Sequence, residues 1–134
     1  MSRENVEIVR RVYAHRQATG DILTDFIAPE YVWDMSHFRG WPEQQTYAGI
    51  DGARRFIREW TDAFDDWAIE VIAIHDAGDD RVVGVIQQRG RSKSTGLPVD
   101  MRLGQVFTIR DGKQVRMEMY DDPDDALKAV GLAE

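Results

Sequence analysis

The stretch VDMRLGQVFTIRDGKQVRMEMY, residues 99–120, decides the fold. At its centre stands Arg110-Asp111-Gly112-Lys113, and an Asp-Gly pair between two alternating runs is a strong hairpin signal, because both central residues of a tight type I′ turn need positive φ. The flanking runs, 99–109 and 114–120, are rich in β-branched, aromatic and long apolar residues with period two, so they read as paired strands. Alternation puts Gln105, Phe107, Met117 and Met119 on one face. Val106, Thr108, Arg116, Glu118 and Tyr120 fall on the other.

Working upstream, 92–98 is a loop, 81–91 is a strand, Asp76-Ala77-Gly78-Asp79-Asp80 is a turn cluster, and 67–75 is another strand. Arg89, Arg91 and Lys93 alternate as an exposed strand edge does. Four strands in series with short connections pair as an antiparallel meander. Before them the period changes from two to 3.6. Ala53, Phe56, Ile57, Trp60 and Phe64 make one helical stripe beginning near Asp51, and Val6, Val9, Val12 and Tyr13 make another in a helix over 4–19, with Ser2 as its N-cap and Gly20-Asp21 as its stop. Between the two helices, 22–28 reads as a short helical turn ended by Pro29, 31–35 as a short strand, and 36–49, with Gly40, Pro42 and Gly49, as a loop able to cover a pocket. Downstream, Asp122 caps a last short helix, Pro123 suits its first turn, Asp124 and Asp125 suit its positive end, and Gly131 ends it.

The expected architecture is α+β over residues 1–134 as one domain: a curved antiparallel sheet with helices on its concave side and a cavity between the layers. A chain of 134 residues is long enough to bury a substantial core. With 17 basic against 24 acidic residues the net charge is −7, which argues against nucleic acid as a partner. The absence of cysteine removes disulfide, thiolate-metal and cysteine-nucleophile chemistry. The charged start lacks the apolar core of a secretory signal and no run suits a membrane span, so the expected setting is cytoplasmic, away from membranes.

Phosphate-binding, dinucleotide-binding, serine-hydrolase and zincin motifs are all missing. His15, His37 and His75 are dispersed over a helix, a loop and a strand end, so neither metal nor cofactor is expected. What remains is carboxylate chemistry in an apolar setting. Asp34 interrupts Tyr31-Val32-Trp33-Asp34-Met35, and alternation groups it with Val32, facing either the cavity or water. Toward the cavity, desolvation would raise its pKa and make it a competent general base near neutrality. Asp121 shares the parity of Met117 and Met119, and either reaches the cavity mouth or competes with Asp122 for the helix cap. The two methionines would form an adaptable apolar wall or fill the core.

Several segments resemble the SnoaL-like branch of the NTF2-like superfamily, the cone-shaped α+β fold of ketosteroid isomerases, polyketide cyclases, limonene epoxide hydrolase and scytalone dehydratase. They are NVEIVRRVY at 5–13, Gly20-Asp21, YAGIDG at 47–52, FTIRDGK at 107–113 and ALKAVGL at 126–132. The resemblance covers essentially the whole chain. It implies a cofactor-independent proton-transfer enzyme, or an enzyme-like binder, for an apolar small molecule bearing a carbonyl or ring hydroxyl. On that pattern Tyr13, eight residues before Asp21, is an oxyanion donor, and Asp34, eight residues after Phe26, is the base. Phe107 keeps its place, but Gln105 stands where the isomerases have a protonated aspartate. Losing such a donor typically costs about 2.7–4 kcal/mol of transition-state stabilisation. That departure turns the expectation away from steroids and toward another carbonyl ligand oriented by Gln105.

Similarity to the cyclases implies a proton-transfer role for Asp121. Similarity to the epoxide hydrolase implies two carboxylates bridged by an arginine, with Arg89 or Arg102 as suppliers. Ligand contacts are expected from Gln105, Asp121, Phe107, Met117 and Met119. The superfamily also contains non-catalytic dimeric modules, and here pairing is expected through the outer sheet face of Val106, Thr108, Arg116, Glu118 and Tyr120.

Overall fold

The computed structural model describes residues 2–39, 41 and 45–132. Helix α1 (Ser2–Thr19) is followed by β1 (Ile27–Asp34), β2 (Thr46–Ala48), α2 (Gly49–Asp62), β3 (Phe64–Gly78), β4 (Arg81–Ser92), β5 (Pro98–Arg110), β6 (Lys113–Tyr120) and α3 (Pro123–Ala129). The six strands form one sheet in the order β2-β1-β6-β5-β4-β3. β3 to β6 make the expected meander, turned at Asp111 and Gly112, whose φ angles are 51° and 74°. β1 extends the sheet by pairing parallel to β6, with Trp33 beside Met117 and Asp34 beside Glu118. The sheet is therefore antiparallel except at that one seam.

Helices α1 and α2 cover the concave face. Val9, Val12 and Tyr13 from α1 and Ala53, Phe56, Ile57 and Trp60 from α2 join Trp33, Val82, Ile86, Leu103, Phe107, Met117 and Met119 in one buried cluster. α3 lies on the opposite, convex face, where Ala126 and Val130 pack on Val83, Val85 and Val106. Gly104 makes this approach possible, since a β-carbon there would stand 2.7 Å from that of Ala126. Concave-side packing thus holds for two helices and not for the third. The outer face contains the residues expected of it, but Val106 is only 2% exposed because α3 already covers it.

Three local expectations are corrected. Residues 22–28 form no helical turn: Phe26 takes a φ of 65°, and strand β1 starts at Ile27 and runs through Pro29. The proline is tolerated because the β1–β6 register is irregular between Ile27 and Val32, where a missing N–H breaks no regular ladder. Within the expected 36–49 loop, 46–48 pairs with β1 as strand β2, and Gly49 already belongs to α2. Gly40 and Pro42 of that loop lie outside the described residues, as does the Ser2 side chain expected to cap α1. At the other end of the chain Asp122 caps α3 as expected, accepting the Asp124 N–H at 2.9 Å. No helix among the described residues is long and apolar enough to cross a membrane.

Candidate functional site: a concave cavity lined by hydrogen-bond donors

The cavity lies between the concave face and the two covering helices. Its wall includes Tyr13, Phe107, Met117, Met119 and Gln105, five of the seven residues singled out from the sequence. Alternation along β5 and β6 brings four of them there, and the apolar stripe of α1 brings Tyr13. The cavity volume is about 40 Å³, room for a few waters, so a ligand of several rings requires the side chains to move apart.

Tyr13 and Gln105 meet inside it. The tyrosine hydroxyl donates to Gln105 Oε1 at 2.7 Å, and Gln105 Nε2 lies 3.4 Å from the Met119 sulfur. Phe107 holds the Tyr13 ring edge-on at 5.7 Å. Burial pushes the Tyr13 phenol well above the ordinary tyrosine range, so at neutral pH it is a neutral donor.

Further side chains with polar groups line the wall without having been singled out, among them Arg16, Trp67, Gln88 and Gln114. Gln88 accepts from Trp60 Nε1 at 2.7 Å, which leaves its own amide nitrogen facing outward from that bond. Among the described residues, the buried side-chain polar atoms with no protein partner are Trp67 Nε1, Gln88 Nε2 and Gln114 Nε2. All three are N–H donors on this one wall. A buried donor left unpaired costs about 1–3 kcal/mol, which an acceptor placed in the cavity would recover. Among the described lining residues there is no carboxylate and no histidine.

The sequence carried a signal for only one of the glutamines. Gln88 follows Val82, Gly84 and Ile86 on the inner parity of β4, so alternation reaches it. Gln114 has the outward parity by counting back from Met117. A register shift between Thr108 and Ile109 leaves Val115 unpaired and turns Gln114 inward. Trp67 likewise follows a shift between Asp65 and Ala68. Arg16 stands four residues after Val12, close enough to the apolar stripe of α1 for its side chain to lie along it.

Asp34 is not brought into the cavity. Trp33 takes the inward parity of β1, and Asp34 points to the outer face, 2% exposed, where it accepts the Ser36 N–H at 2.8 Å and pairs with Arg116. Burial raises its pKa, but the hydrogen bonds from Ser36 and the Arg116 guanidinium outweigh that and hold it below the usual carboxylate range. The expected raised pKa is therefore corrected. A carboxylate so stabilised in its charged form is a poor proton acceptor. Asp121 also stays outside, paired with Arg39 at 3.0 Å just past the end of β6. Its rival Asp122 takes the cap.

The arrangement of two carboxylates around an arginine does occur, on the convex side. Arg116 joins Asp34 to Glu118, with 3.9 Å to the latter. Arg89 is instead engaged with Glu70 and Asp100, and Arg102 with Gln87, and neither lines the cavity. His37 completes the outer cluster, 3.1 Å from Glu118 and stacked on Tyr120 at 4.6 Å. The ligating atoms of Asp34, His37 and Glu118 all lie within 4.8 Å of one another, a convergence not expected of the histidines. The Arg116 guanidinium already supplies positive charge to those carboxylates, which disfavours a cation there.

Comparison with known proteins places this geometry. Among curated proteins, none matches the chain. Among solved structures, an NTF2-like protein from Burkholderia thailandensis superposes with a TM-score of 0.74 at 28% identity, covering 87% of this chain and 88% of that one. A candidate SnoaL-like polyketide cyclase from Jannaschia superposes with a TM-score of 0.73 at 21% identity over 99% and 95%. A protein of ketosteroid isomerase-like fold from Catenulispora acidiphila, in complex with trimethylamine, gives 0.71 at 16% identity over 94% and 93%. The family model of the SnoaL-like domain matches residues 9–117, which take in most of the sheet, the later part of α1 and all of α2. This chain belongs to the SnoaL-like domain family.

Proposed function

We propose that the protein binds an apolar small molecule bearing carbonyl or hydroxyl oxygens in the concave cavity, with Tyr13, Gln88, Gln105 and Gln114 fixing those oxygens and Phe107, Met117 and Met119 packing on the carbon skeleton. The observation that carries this reading is that the unpartnered buried donors all belong to residues lining one mostly apolar cavity. Such a wall holds and polarises an acceptor oxygen. Of the two functional classes considered from the sequence, an enzyme-like binder and a non-catalytic dimeric module, the cavity supports the ligand binding that both include and supplies no catalytic carboxylate. Proton transfer by Asp34 is not carried forward, because its carboxylate lies on the far side of the sheet from the ligand. Epoxide hydrolysis is not carried forward either, since the arginine-bridged carboxylates lie on that same outer side.

The test is a titration with acetophenone, a small aromatic ketone, followed by tryptophan fluorescence. Gln105→Leu is expected to weaken binding about tenfold, the loss of one good hydrogen bond in a desolvated site. Asp34→Asn is expected to leave it within twofold of the unaltered protein. An Asp34→Asn loss as large as that of Gln105→Leu would contradict the reading.

Two copies are proposed to pair through the part of the outer sheet face that α3 leaves open, around Thr108 and Arg116. Sedimentation showing a single chain across micromolar concentrations would contradict that.

A further inference from the structure

The polar residues of the cavity wall differ in charge, and one of them, Arg16, has no ion-pair partner among the described residues. Arg16 enters from the last turn of α1. Its guanidinium carbon lies 4.6 Å from the centroid of the Trp67 ring, and its Nη1 donates to the Gly20 carbonyl at 2.6 Å. No carboxylate among the described residues forms an ion pair with it. Asp21, the acid nearest in sequence, is held by Arg54 at 3.2 Å and by the Ile22 N–H at 2.7 Å. Burial pushes the Arg16 pKa down to about 10, with the field of Asp21 opposing that in part. Even so the side chain is a cation at neutral pH. Beside it, Trp67 Nε1 is buried with no partner, and both residues line the cavity.

Arg16 is therefore a cation fixed by a ring face on one side and a backbone carbonyl on another, with guanidinium donors left over and an unpaired indole N–H adjacent. Guanidinium and indole donors together match the two oxygens of a carboxylate, which accepts charge-assisted bonds roughly twice as strong as neutral ones. We infer that the ligand is a small aromatic acid, its ring among the apolar residues of the wall and its carboxylate between Arg16 and Trp67 Nε1. This rests on the proposed cavity function and adds the charge of the ligand to it. The net negative charge of the chain does not oppose it, because the wall itself contributes a cation and no described acid.

Benzoate and benzamide differ in charge and hardly in shape, so they serve as the probe pair. Each is titrated into ¹⁵N-labelled protein while the tryptophan indole N–H signals are followed. Benzoate is expected to bind about tenfold more tightly than benzamide, and to move the Trp67 indole proton downfield. Arg16→Gln is expected to bring the two probes within about twofold, whereas Arg16→Lys, which keeps the charge but loses the planar fork and the stacking, keeps only part of the preference. Equal affinity for both probes in the unaltered protein would overturn the inference while leaving the cavity reading intact, and that comparison stands whether or not Arg16→Gln folds. A benzoate preference that survives in folded Arg16→Gln would overturn it as well. If neither probe moves any signal from a cavity residue, the cavity reading fails together with it.

Discussion

Gly84 stands opposite Gln105 across the β4–β5 ladder, and a β-carbon at this position would come within 1.9 Å of the Tyr13 hydroxyl. The absence of a side chain there is what lets Tyr13 reach Gln105. Gly84→Ala is expected to destabilise the protein by about 1–3 kcal/mol through overpacking. Combined with Tyr13→Phe it should cost less than the sum of the two changes, because the phenylalanine removes the closest clash; a urea-denaturation double-mutant cycle reads the difference. Asp34 makes a second prediction at this scale. Its folded pKa lies below the ordinary value of about 3.9, so its stabilising contribution is complete above that pH and is lost as pH falls through the lowered value. Asp34→Ala should cost about 1–3 kcal/mol at pH 7, discounted because Arg116 is 41% exposed. The deficit should shrink as the pH is taken below about 4, and denaturant midpoints at pH 7 and pH 3 measure it. Residue identities made Tyr13 and Gln105 legible in the sequence, since both lie on regular stripes. The side Asp34 faces was left open by alternation, and only pairing with β6 settles it.

Elements with explicit local chemistry were the ones legible beforehand. The Asp111-Gly112 turn, the Asp122 cap and the apolar stripes of α1 and α2 each act within a few residues of themselves. β2 was not legible, because three residues have no periodicity and its strand character comes from pairing with β1. The Ile27 start of β1 was hidden for a similar reason: Pro29 normally argues against a strand, and the irregular seam with β6 admits it. Irregular register also explains the unrecognised donors Gln114 and Trp67, which counting by twos assigns to the wrong face or leaves unassigned. For α3 the structure makes a prediction of its own. Its apolar residues protect Val83, Val85 and Val106, so Asp122→Ala should cost about 1 kcal/mol in thermal or urea unfolding. Gly104→Val, which drives a branched side chain into Ala126 and Pro123, should cost more than the lost cap.

Across the whole molecule, charge and hydrogen-bonding character are segregated by the sheet. Among the described residues no acid lines the cavity, while the concave wall presents an arginine, amide and indole N–H groups and neutral phenols. The sequence suggested that two carboxylates, Asp34 and Asp121, hold whatever chemistry the domain performs. The fold keeps both out of the cavity and gives its wall to donors, which no count of 24 acids could have revealed. The central claim is that the ligand site is this donor-lined cavity rather than the outer carboxylate cluster. The most direct measurement follows the side-chain N–H signals of Gln88 and Gln114 and the ring signals of His37 and Tyr120 by NMR while acetophenone is added. A shift of at least one of the two glutamine amides with His37 and Tyr120 unmoved is predicted; shifts confined to His37 and Tyr120 would contradict the claim.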